Sequence, residues 1–320
     1  MNLACRASAP TRVGSSSHRR GDLDVNQCRR SQAILTSHDG AADPPLIATI
    51  ARVICAMPEL AEVEWFRKQW DATRGDEIVD VHAHTGKYVF RGTNTRALQE
   101  NLVGKKFLRS TRRGKQMLFN FSRYNWLGIH LGMTGKTHAE SRDFRPGKHD
   151  HLVLYQPKRA LVFTDPRQLG HVRFHHGADE PEWWKQHAPE IVSRAFDQKF
   201  LDQFLARHRK APIKAVLLMQ RGFPGIGNWM ADEILWRAKV LPSKRAGKLT
   251  PRERVTIFRT AKFVVRRSLE TLGKHFSDPP RTWLIHQRWE NSGVCPRHRT
   301  PLRRATIGGR TTAWCPRCQR

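Results

Sequence analysis

The sequence has few acidic residues and no long apolar run. Its 320 residues contain 28 Asp and Glu against 57 Lys and Arg, so the formal net charge is +29. An excess of this size indicates a polyanionic partner, and nucleic acid is the simplest one. No apolar run is long enough to span a bilayer and no basic amphipathic anchor is present, which argues against a membrane partner.

Cysteines are also scarce, and they are unevenly placed. Three of the six precede Met57, and the other three lie in one C-terminal cluster. A disulfide framework would spread and pair its cysteines, so a reducing compartment with a metal site is favoured. The knuckle Cys295-Pro-Arg-His298 is followed, after sixteen residues, by Cys315-Pro-Arg-Cys318. Two knuckles at this separation predict one closed, structural Zn²⁺ site with three Cys ligands and one His ligand.

The first 56 residues differ from the rest, because they contain no Glu or Lys and show no sustained periodicity. They are rich in Arg and Ser, as transit peptides are, but four aspartates weaken that interpretation. Our preferred hypothesis is a disordered extension that results from a mis-assigned start codon, with Met57 as the true initiator. Removal of Met57 would then leave Pro58 as a free N-terminus.

A terminal proline carries a secondary amine, and the carboxylates of Glu59 and Glu62 lie within four residues of Pro58. A nucleophilic amine beside acids is suited to covalent carbonyl chemistry. The same stretch, MPELAEVE, is also compatible with an ordinary helix start, where acids are favoured in the first turn.

The remaining chain predicts an α+β protein with an N-terminal β-sandwich domain, a helical domain and a small terminal element. Segments in which Val, Leu and aromatic residues alternate with polar ones predict strands over residues 57–178. These segments are EIVDVHAH, KYVFRG, KKFLRSTRRGKQMLFNFS, NWLGIHLGMTG, HDHLVLYQ, RALVFTDP and GHVRFH. Apolar residues at three- and four-residue spacing predict helices over residues 190–282. Residues 283–320 contain the predicted zinc site.

A glycine-rich stretch, Gln220-Arg-Gly-Phe-Pro-Gly-Ile-Gly-Asn228, leads into one of the predicted helices. Its three glycines allow tight turns with positive φ, and Asn228 is well placed to cap the helix. Amides at such a helix start can hold a phosphate, although a glycine-rich connection is commonly only structural.

Three further residues are singled out by their surroundings. Lys115 precedes an apolar strand, Met133 lies on a Gly-flanked loop, and Arg310 follows the Gly308-Gly309 turn of a predicted hairpin. The ordinary interpretations are a solvated lysine, a core methionine and a surface charge. Likewise, the sequence KHDH around His149 is compatible with solvated histidines, and Asp165-Pro-Arg167 with a simple turn.

Together these pieces resemble the formamidopyrimidine-DNA glycosylase/endonuclease VIII family over residues 57–320. The ordered motifs are MPELAEVE, RRGK, HLGMTG, KHDH, TDPRQLG, the GIGN helix–two-turn–helix and the zinc finger GGRTTAWCPRC. The resemblance implies a monomeric base-excision repair enzyme of the bacterial cytoplasm, associated with the nucleoid, that binds damaged double-stranded DNA between its domains. It implies removal of oxidised bases, chiefly purines, through a Schiff base, followed by β,δ-elimination.

The resemblance also implies roles for individual residues. Pro58 would be the Schiff-base nucleophile and Glu59 the acid/base, supported by Glu62. Lys115 would assist β-elimination and Arg310 δ-elimination. DNA contacts are implied for His149, Arg167, Lys210 (or its neighbour Arg209) and Asn228, and filling of the gap left by the flipped base for Met133, Arg167 and Leu169.

The chain departs from the family pattern at a few positions. His298 stands where a fourth zinc cysteine is usual, and Ala61 where proline is usual. Leu169 stands where the formamidopyrimidine branch usually has an aromatic wedge. The segment before the zinc finger is also short for a lesion-capping loop.

Two other function classes stay open from the sequence. One is a non-catalytic protein that recognises damaged DNA on the same scaffold. The other is a basic RNA- or ribosome-associated protein with a zinc ribbon, which would give no reason for a terminal proline beside carboxylates.

Overall fold

The computed structural model describes residues 58–320, so the predicted extension 1–56 and Met57 lie outside the described residues. Residues 80–176 form two four-stranded antiparallel sheets, with strand orders β1-β6-β7-β5 and β2-β3-β4-β8. The strands are β1 Asp80–Ala83, β2 Phe107–Arg113, β3 Gln116–Phe121, β4 Asn125–His130, β5 Lys136–Ser141, β6 Asp150–Tyr155, β7 Arg159–Thr164 and β8 His171–His176. The predicted β-sandwich is confirmed.

One continuous core fills the space between the two sheets. Alternate residues of the facing strands contribute to it, including Phe119, Leu127, Leu154 and Phe163, all of which are fully buried. This arrangement follows from strand geometry, because successive side chains point to opposite faces of a sheet.

The sandwich differs from its sequence prediction in three elements. The segment KYVFRG is not a strand, because Tyr88–Phe90 form a 3₁₀ turn that buries Val89 and Phe90. Strand β5, KTHAES, was not predicted because it lacks an apolar alternation. Helix α2, Thr95–Leu102, was not predicted either, although Asn94 caps it by accepting a hydrogen bond from the Ala97 amide at 3.0 Å.

Helix α1, Leu60–Lys68, precedes the sandwich, and the helical part follows it. The helices after the sandwich are α3 Glu182–Lys185, α4 Gln198–Arg207, α5 Ile213–Leu217, α6 Asn228–Ala238, α7 Pro251–Glu270 and α8 Leu272–His275. They enclose a second core, to which Leu60 and Ala61 of α1 also belong. Helix α1 therefore joins the two parts of the molecule. No helix within residues 58–320 is long and apolar enough to cross a membrane.

The chain ends in an antiparallel hairpin, β9 Arg303–Ile307 and β10 Arg310–Trp314. Gly308 and Gly309 form its turn with φ of +61° and +72°, as the sequence predicted. A Cβ on Gly308 would lie 2.7 Å from the Cβ of Ala215. The hairpin tip is therefore seated on α5, and glycine is needed for both the turn and the close approach.

Candidate active site

The start of α1 is locked onto the start of α6, 168 residues further along the chain. The Glu59 carboxylate accepts hydrogen bonds from the backbone amides of Gly227, Trp229 and Met230 at 2.9, 2.9 and 3.1 Å. The Leu60 amide donates to the Gly225 carbonyl at 3.0 Å. Because the first amides of a helix have no partners within it, Glu59 acts as the cap of α6.

Asn228 does not cap α6, so that prediction was wrong. Gly227 occupies the capping position, and Asn228 is the first helical residue. Its side-chain amide instead donates to the Thr311 carbonyl of β10 at 3.0 Å. The capping role is taken by a carboxylate from another part of the chain, which local sequence could not reveal.

The three glycines of this stretch have two different functions. Only Gly225 has a positive φ, at +87°. A Cβ on Gly227 would overlap the Glu59 carboxyl group, and one on Gly222 would overlap the ring of Phe204. Two of the three glycines are therefore needed for close approach rather than for a turn, which corrects the sequence interpretation.

Two buried carboxyl groups lie next to each other in this region. Glu59 is 2% exposed and Glu62 is 3% exposed. Burial raises the pKa of Glu59, against the opposing charge of Lys115 and the hydrogen bonds from α6. Burial and then the charge of Glu59 raise the pKa of Glu62 to about 7. Such a pair is able to exchange a proton near neutral pH.

Glu62 has one paired and one unpaired oxygen. Its Oε1 accepts a hydrogen bond from the indole of Trp229 at 3.2 Å. Its Oε2 is buried and has no hydrogen-bond partner among residues 58–320. A buried oxygen without a partner is better tolerated when the carboxyl group is protonated, which agrees with the raised pKa of Glu62.

The raised pKa of Glu62 predicts a dependence of stability on pH. Between its unfolded pKa of about 4.3 and its folded pKa of about 7, the folded protein binds more protons. The stability contributed by this proton is full below pH ~4.3 and is lost as the pH rises through about 7. We expect Glu62→Gln to lessen the fall in unfolding free energy between pH 5 and pH 8, measured by urea denaturation. Exposed Glu77→Gln is the control, and a fall unchanged in Glu62→Gln would contradict the assignment.

Lys115 lies in the same cluster and is not an ordinary solvated lysine. It is half-buried in the turn between β2 and β3. Burial lowers its pKa, while the charges of Glu59 and Glu62 raise it and that of Arg310 lowers it. The structure therefore brings Lys115 into electrostatic range of the carboxyl pair and Arg310 into range of Lys115. Arg310 itself is exposed at the hairpin tip.

The turn that carries Lys115 is held in place by Glu190, which lies in the segment between the sandwich and α4. Glu190 accepts hydrogen bonds from the Gly114 amide at 2.5 Å and from Arg112 at 2.9 and 3.2 Å. Arg112 also forms an ion pair with Glu64 of α1 at 3.3 Å. The position of Lys115 is thus tied to both α1 and the interdomain connection.

A buried charged network beneath the site was not predicted from the sequence. Asp232 of α6 binds Lys214 at 2.5 Å and Arg288 at 2.8 Å, and the side chains of all three are almost completely buried. Arg288 also donates to the Thr311 carbonyl, next to Arg310, at 3.2 Å. The available signal was the presence of charged residues within two apolar helical segments, one in PIKAVLL and two in NWMADEILW.

Three residues predicted to fill a gap in DNA lie at one edge of the sandwich. Gln116, His130 and His171 are in register across β3, β4 and β8. Lys115, the loop with Met133 and the loop with Arg167 and Leu169 all adjoin this row. A Cβ on Gly132 would lie 2.5 Å from the backbone of Leu169 and Gly170, so these two loops are in close contact. Arg167 and Leu169 are exposed, and Met133 is half-buried.

Of two other predicted DNA contacts, one adjoins this edge and one lies elsewhere. His149 is half-buried, and its carbonyl accepts a hydrogen bond from the Asp165 amide at 3.0 Å, so it adjoins the loop of Arg167. Lys210 and Arg209 are exposed on the loop between α4 and α5. The lysine of this region that lies near Glu59 is Lys214, whose charge lowers the pKa of that carboxyl group.

The predicted zinc ligands converge in the C-terminal hairpin. The ligand atoms of Cys295, His298 and Cys318 lie within 4.8 Å of one another, and the sulfurs of Cys295 and Cys318 are 3.7 Å apart. Two sulfurs bound to tetrahedral zinc at about 2.3 Å lie about 3.8 Å apart. Cys315 is buried and within hydrogen-bonding reach of both other thiols. The residues therefore fit a metal ion, and the trio alone could bind one.

Comparison with known proteins identifies the same two parts. Residues 57–172 match the family model of the formamidopyrimidine-DNA glycosylase N-terminal domain, and residues 187–278 match that of its H2TH domain. The chain is 32% identical over 276 residues to formamidopyrimidine-DNA glycosylase of Pelotomaculum thermopropionicum, covering 82% of this chain and 99% of the relative. The enzyme of Thermus thermophilus is 33% identical over 276 residues, covering 82% of this chain and 98% of the relative.

Solved structures agree with the sequence relatives. Formamidopyrimidine-DNA glycosylase of Lactococcus lactis, bound to DNA with an abasic site, superimposes with a TM-score of 0.73 at 27% identity, covering 82% of this chain and 99% of that one. The same enzyme with DNA that contains an oxidised pyrimidine gives a TM-score of 0.74 at 27% identity, covering 82% of this chain and all of that one. The chain therefore belongs to the formamidopyrimidine-DNA glycosylase family.

Proposed function

We propose that this chain is a base-excision repair DNA glycosylase and abasic-site lyase, which removes oxidised bases through a Schiff base on Pro58. The observation that carries the proposal is the convergence of Pro58, Glu59, Glu62 and Lys115 at the junction of α1, α6 and the β2–β3 turn. Pro58 is buried and directly precedes Glu59, whose carboxylate caps α6. A nucleophile beside two carboxyl groups of raised pKa is the arrangement that this chemistry requires.

The nucleophile requires a chain that begins at Pro58, because only then is the proline nitrogen an amine. We therefore propose that the active enzyme starts at this residue, after removal of Met57. The match to the N-terminal family domain, which begins at Met57, supports this proposal. Domain limits of 57–178, 190–282 and 283–320 are part of the same proposal.

The reaction has two stages. The Pro58 nitrogen forms a bond to C1′ of the damaged nucleotide while the bond from C1′ to the base breaks, and the departing base takes up a proton. Glu59 transfers protons to and from the sugar, with Glu62 beside it as a second proton carrier. The attached nitrogen then loses its proton, the C1′–O4′ bond breaks as O4′ takes up a proton, and the nitrogen lone pair forms the iminium. The iminium acidifies C2′, so loss of a C2′ proton expels the 3′ phosphate, and a second elimination expels the 5′ phosphate.

The cationic residues have distinct positions in this scheme. Lys115 lies within electrostatic range of the carboxyl pair and assists the first elimination. Arg310 reaches the site from the hairpin and binds phosphate during the second. Asn228, His149, Arg167 and Lys210 contact the DNA. Met133, Arg167 and Leu169 fill the gap left by the extruded nucleotide, which offsets part of the few kcal/mol that extrusion costs.

The partner is damaged double-stranded DNA, bound by a monomer in the bacterial cytoplasm. The net charge of +29 and the DNA complexes of the relatives support this partner. Phosphate contacts by many Lys and Arg residues imply that affinity falls steeply as the salt concentration rises.

We expect one Zn²⁺ ion per chain, held by Cys295, His298, Cys315 and Cys318. The ion is structural, since four protein ligands leave no open coordination position. Elemental analysis of the Cys318→Ser variant should show loss of the ion, and the hairpin region should melt at a lower temperature. The substitution should also weaken incision, because Arg310 depends on the hairpin. Full metal content in Cys318→Ser, with unchanged melting, would exclude this ligand set.

The function is tested by incubating the enzyme with duplexes that contain 8-oxoguanine, a formamidopyrimidine or an oxidised pyrimidine. The expected products are a free base and a one-nucleotide gap with phosphate at both ends. Tight binding to all these duplexes without base release or strand cleavage would instead identify a non-catalytic damage-recognition protein.

A further inference from the structure

Tyr88 is a large aromatic residue that is exposed to solvent, although the two residues that follow it in the chain are buried. It begins the 3₁₀ turn Tyr88–Phe90, whose other two residues are buried in the sandwich core. Tyr88 is 62% exposed, which matches Tyr124 at 61% in the β3–β4 turn. The two tyrosines provide a natural comparison, since they lie at different places in the same domain.

The turn of Tyr88 is fastened to the loop with Arg167 and Leu169. The Tyr88 amide donates to the side chain of Gln168 at 3.2 Å. Arg91 donates to the carbonyls of Gly170 at 2.6 Å and Tyr88 at 3.0 Å. Gln168 lies between Arg167 and Leu169, so Tyr88 is held one residue away from both of them.

This position places Tyr88 at the edge of the sandwich that adjoins the active site. The Arg91 carbonyl accepts a hydrogen bond from Nε2 of His171 at 2.9 Å, and His171 is in register with His130 and Gln116. Lys115 directly precedes Gln116. Tyr124 lies at the opposite end of β3 and β4, where Phe121 pairs with Asn125.

The ring of Tyr88 is held by one positively charged group, Arg91. The Arg91 guanidinium lies over one face, 4.6 Å from the ring centroid. Arg91 is also near enough to Arg173 for its charge to lower the pKa of that residue, after the effect of burial. With one face covered and much of the ring exposed, Tyr88 offers a planar surface next to cations, as platforms for nucleic-acid bases do.

We propose that Tyr88 is a second DNA-distorting residue, which stacks on a base of damaged duplex DNA beside the extruded nucleotide. This inference rests on the proposed function, because it assumes that damaged DNA lies along this edge of the sandwich. Leu169 is 41% exposed and has no ring for stacking. Tyr88, fastened to its loop, supplies the aromatic surface at this edge, and Arg91 holds the ring in place and contacts phosphate.

The test compares binding of Tyr88→Ala, Tyr88→Phe and Tyr124→Ala to a duplex that contains a tetrahydrofuran abasic-site analogue. Because stacking on an aromatic side chain is worth about 1–3 kcal/mol per base, Tyr88→Ala should raise the dissociation constant about 5- to 150-fold. Tyr88→Phe keeps the ring and should change it less than about twofold. Tyr124→Ala should have no effect, and binding of Tyr88→Ala to intact duplex should stay near the wild-type value.

A second readout uses 2-aminopurine as the neighbour of the abasic analogue, since its fluorescence reports stacking. Wild type and Tyr88→Phe should quench it more strongly than Tyr88→Ala. Unchanged affinity of Tyr88→Ala for the damaged duplex, or an equal loss for intact duplex, would overturn the proposal. Both measurements use a non-cleavable duplex, so they do not depend on catalysis. If the wild-type protein fails to incise damaged DNA but Tyr88→Ala still lowers affinity for the damaged duplex, only the catalytic proposal is overturned.

Discussion

Replacing Glu59 by Gln is expected to slow base excision about 10²- to 10⁴-fold, the range attributed to a positioned acid or base. The substitution preserves volume but removes the ability to exchange a proton at the sugar. In the native protein the two carboxylate oxygens of Glu59 accept from the amides of Gly227 and Trp229 at 2.9 Å. The glutamine oxygen would keep one of these hydrogen bonds, but the glutamine NH₂ group would face the other amide, which is also a donor. Some loss of stability should therefore accompany the loss of rate.

The measurement is single-turnover release of a damaged base, together with cleavage of a preformed abasic site. Because the abasic site no longer carries a base, its cleavage should fall less than base release. Thermal melting separates catalysis from capping, and Glu77→Gln, an exposed carboxylate, is the control. Equal losses in both assays, in proportion to the fraction unfolded, would reduce Glu59 to a structural cap.

Replacing Asp232 by Ala is expected to produce the largest loss of stability, about 3–5 kcal/mol, because it leaves buried cations without their partner. Lys214 and Arg288 both bind Asp232, at 2.5 and 2.8 Å, and neither side chain reaches solvent to an appreciable extent. The Ala313 amide of the hairpin also donates to Asp232, at 3.2 Å. The substitution should therefore loosen the hairpin that carries Arg310 as well as the start of α6.

Urea denaturation of the zinc-loaded protein measures this effect. The matched control is Glu270→Ala, which breaks an exposed ion pair with Arg267 and should cost less than about 1 kcal/mol. In strand-cleavage assays, Asp232→Ala should accumulate product of the first elimination, since we propose that Arg310 acts in the second. A loss as small as that of the control would mean that the network contributes little to folding.

The sequence predicted most of the fold because most strands and helices have the periodicity of a one-sided buried surface. Strand β3 alternates Met117, Phe119 and Phe121 into the core. Helix α7 begins at Pro251, and Thr250 before it forms a capping box with Glu253. The errors occurred where this periodicity is weak or is compatible with more than one type of secondary structure. Val89 and Phe90 are apolar and buried but lie in a 3₁₀ turn, because a run of two apolar residues does not distinguish the two structures.

The site was predictable in composition but not in its contacts. Pro58, Glu59, Glu62 and Lys115 were identified through ordered motifs, and the structure brings the carboxyl pair and Lys115 together. The capping of α6 by Glu59 joins residues 168–171 positions apart, so it depends on how α1 docks rather than on local sequence. The same reason hid Asp232, whose partners come from α5 and from the segment before the hairpin.

The central claim is that a free proline amine at position 58 is the nucleophile. It is tested by borohydride trapping on a duplex that contains an abasic site, with protein that begins at Pro58 compared with the intact 320-residue chain. Borohydride reduces an iminium to a stable amine, so the protein that begins at Pro58 should become covalently joined to DNA, while the intact chain should not. No adduct with the protein that begins at Pro58, or an equal yield from a chain that retains residues 1–57, would contradict the account.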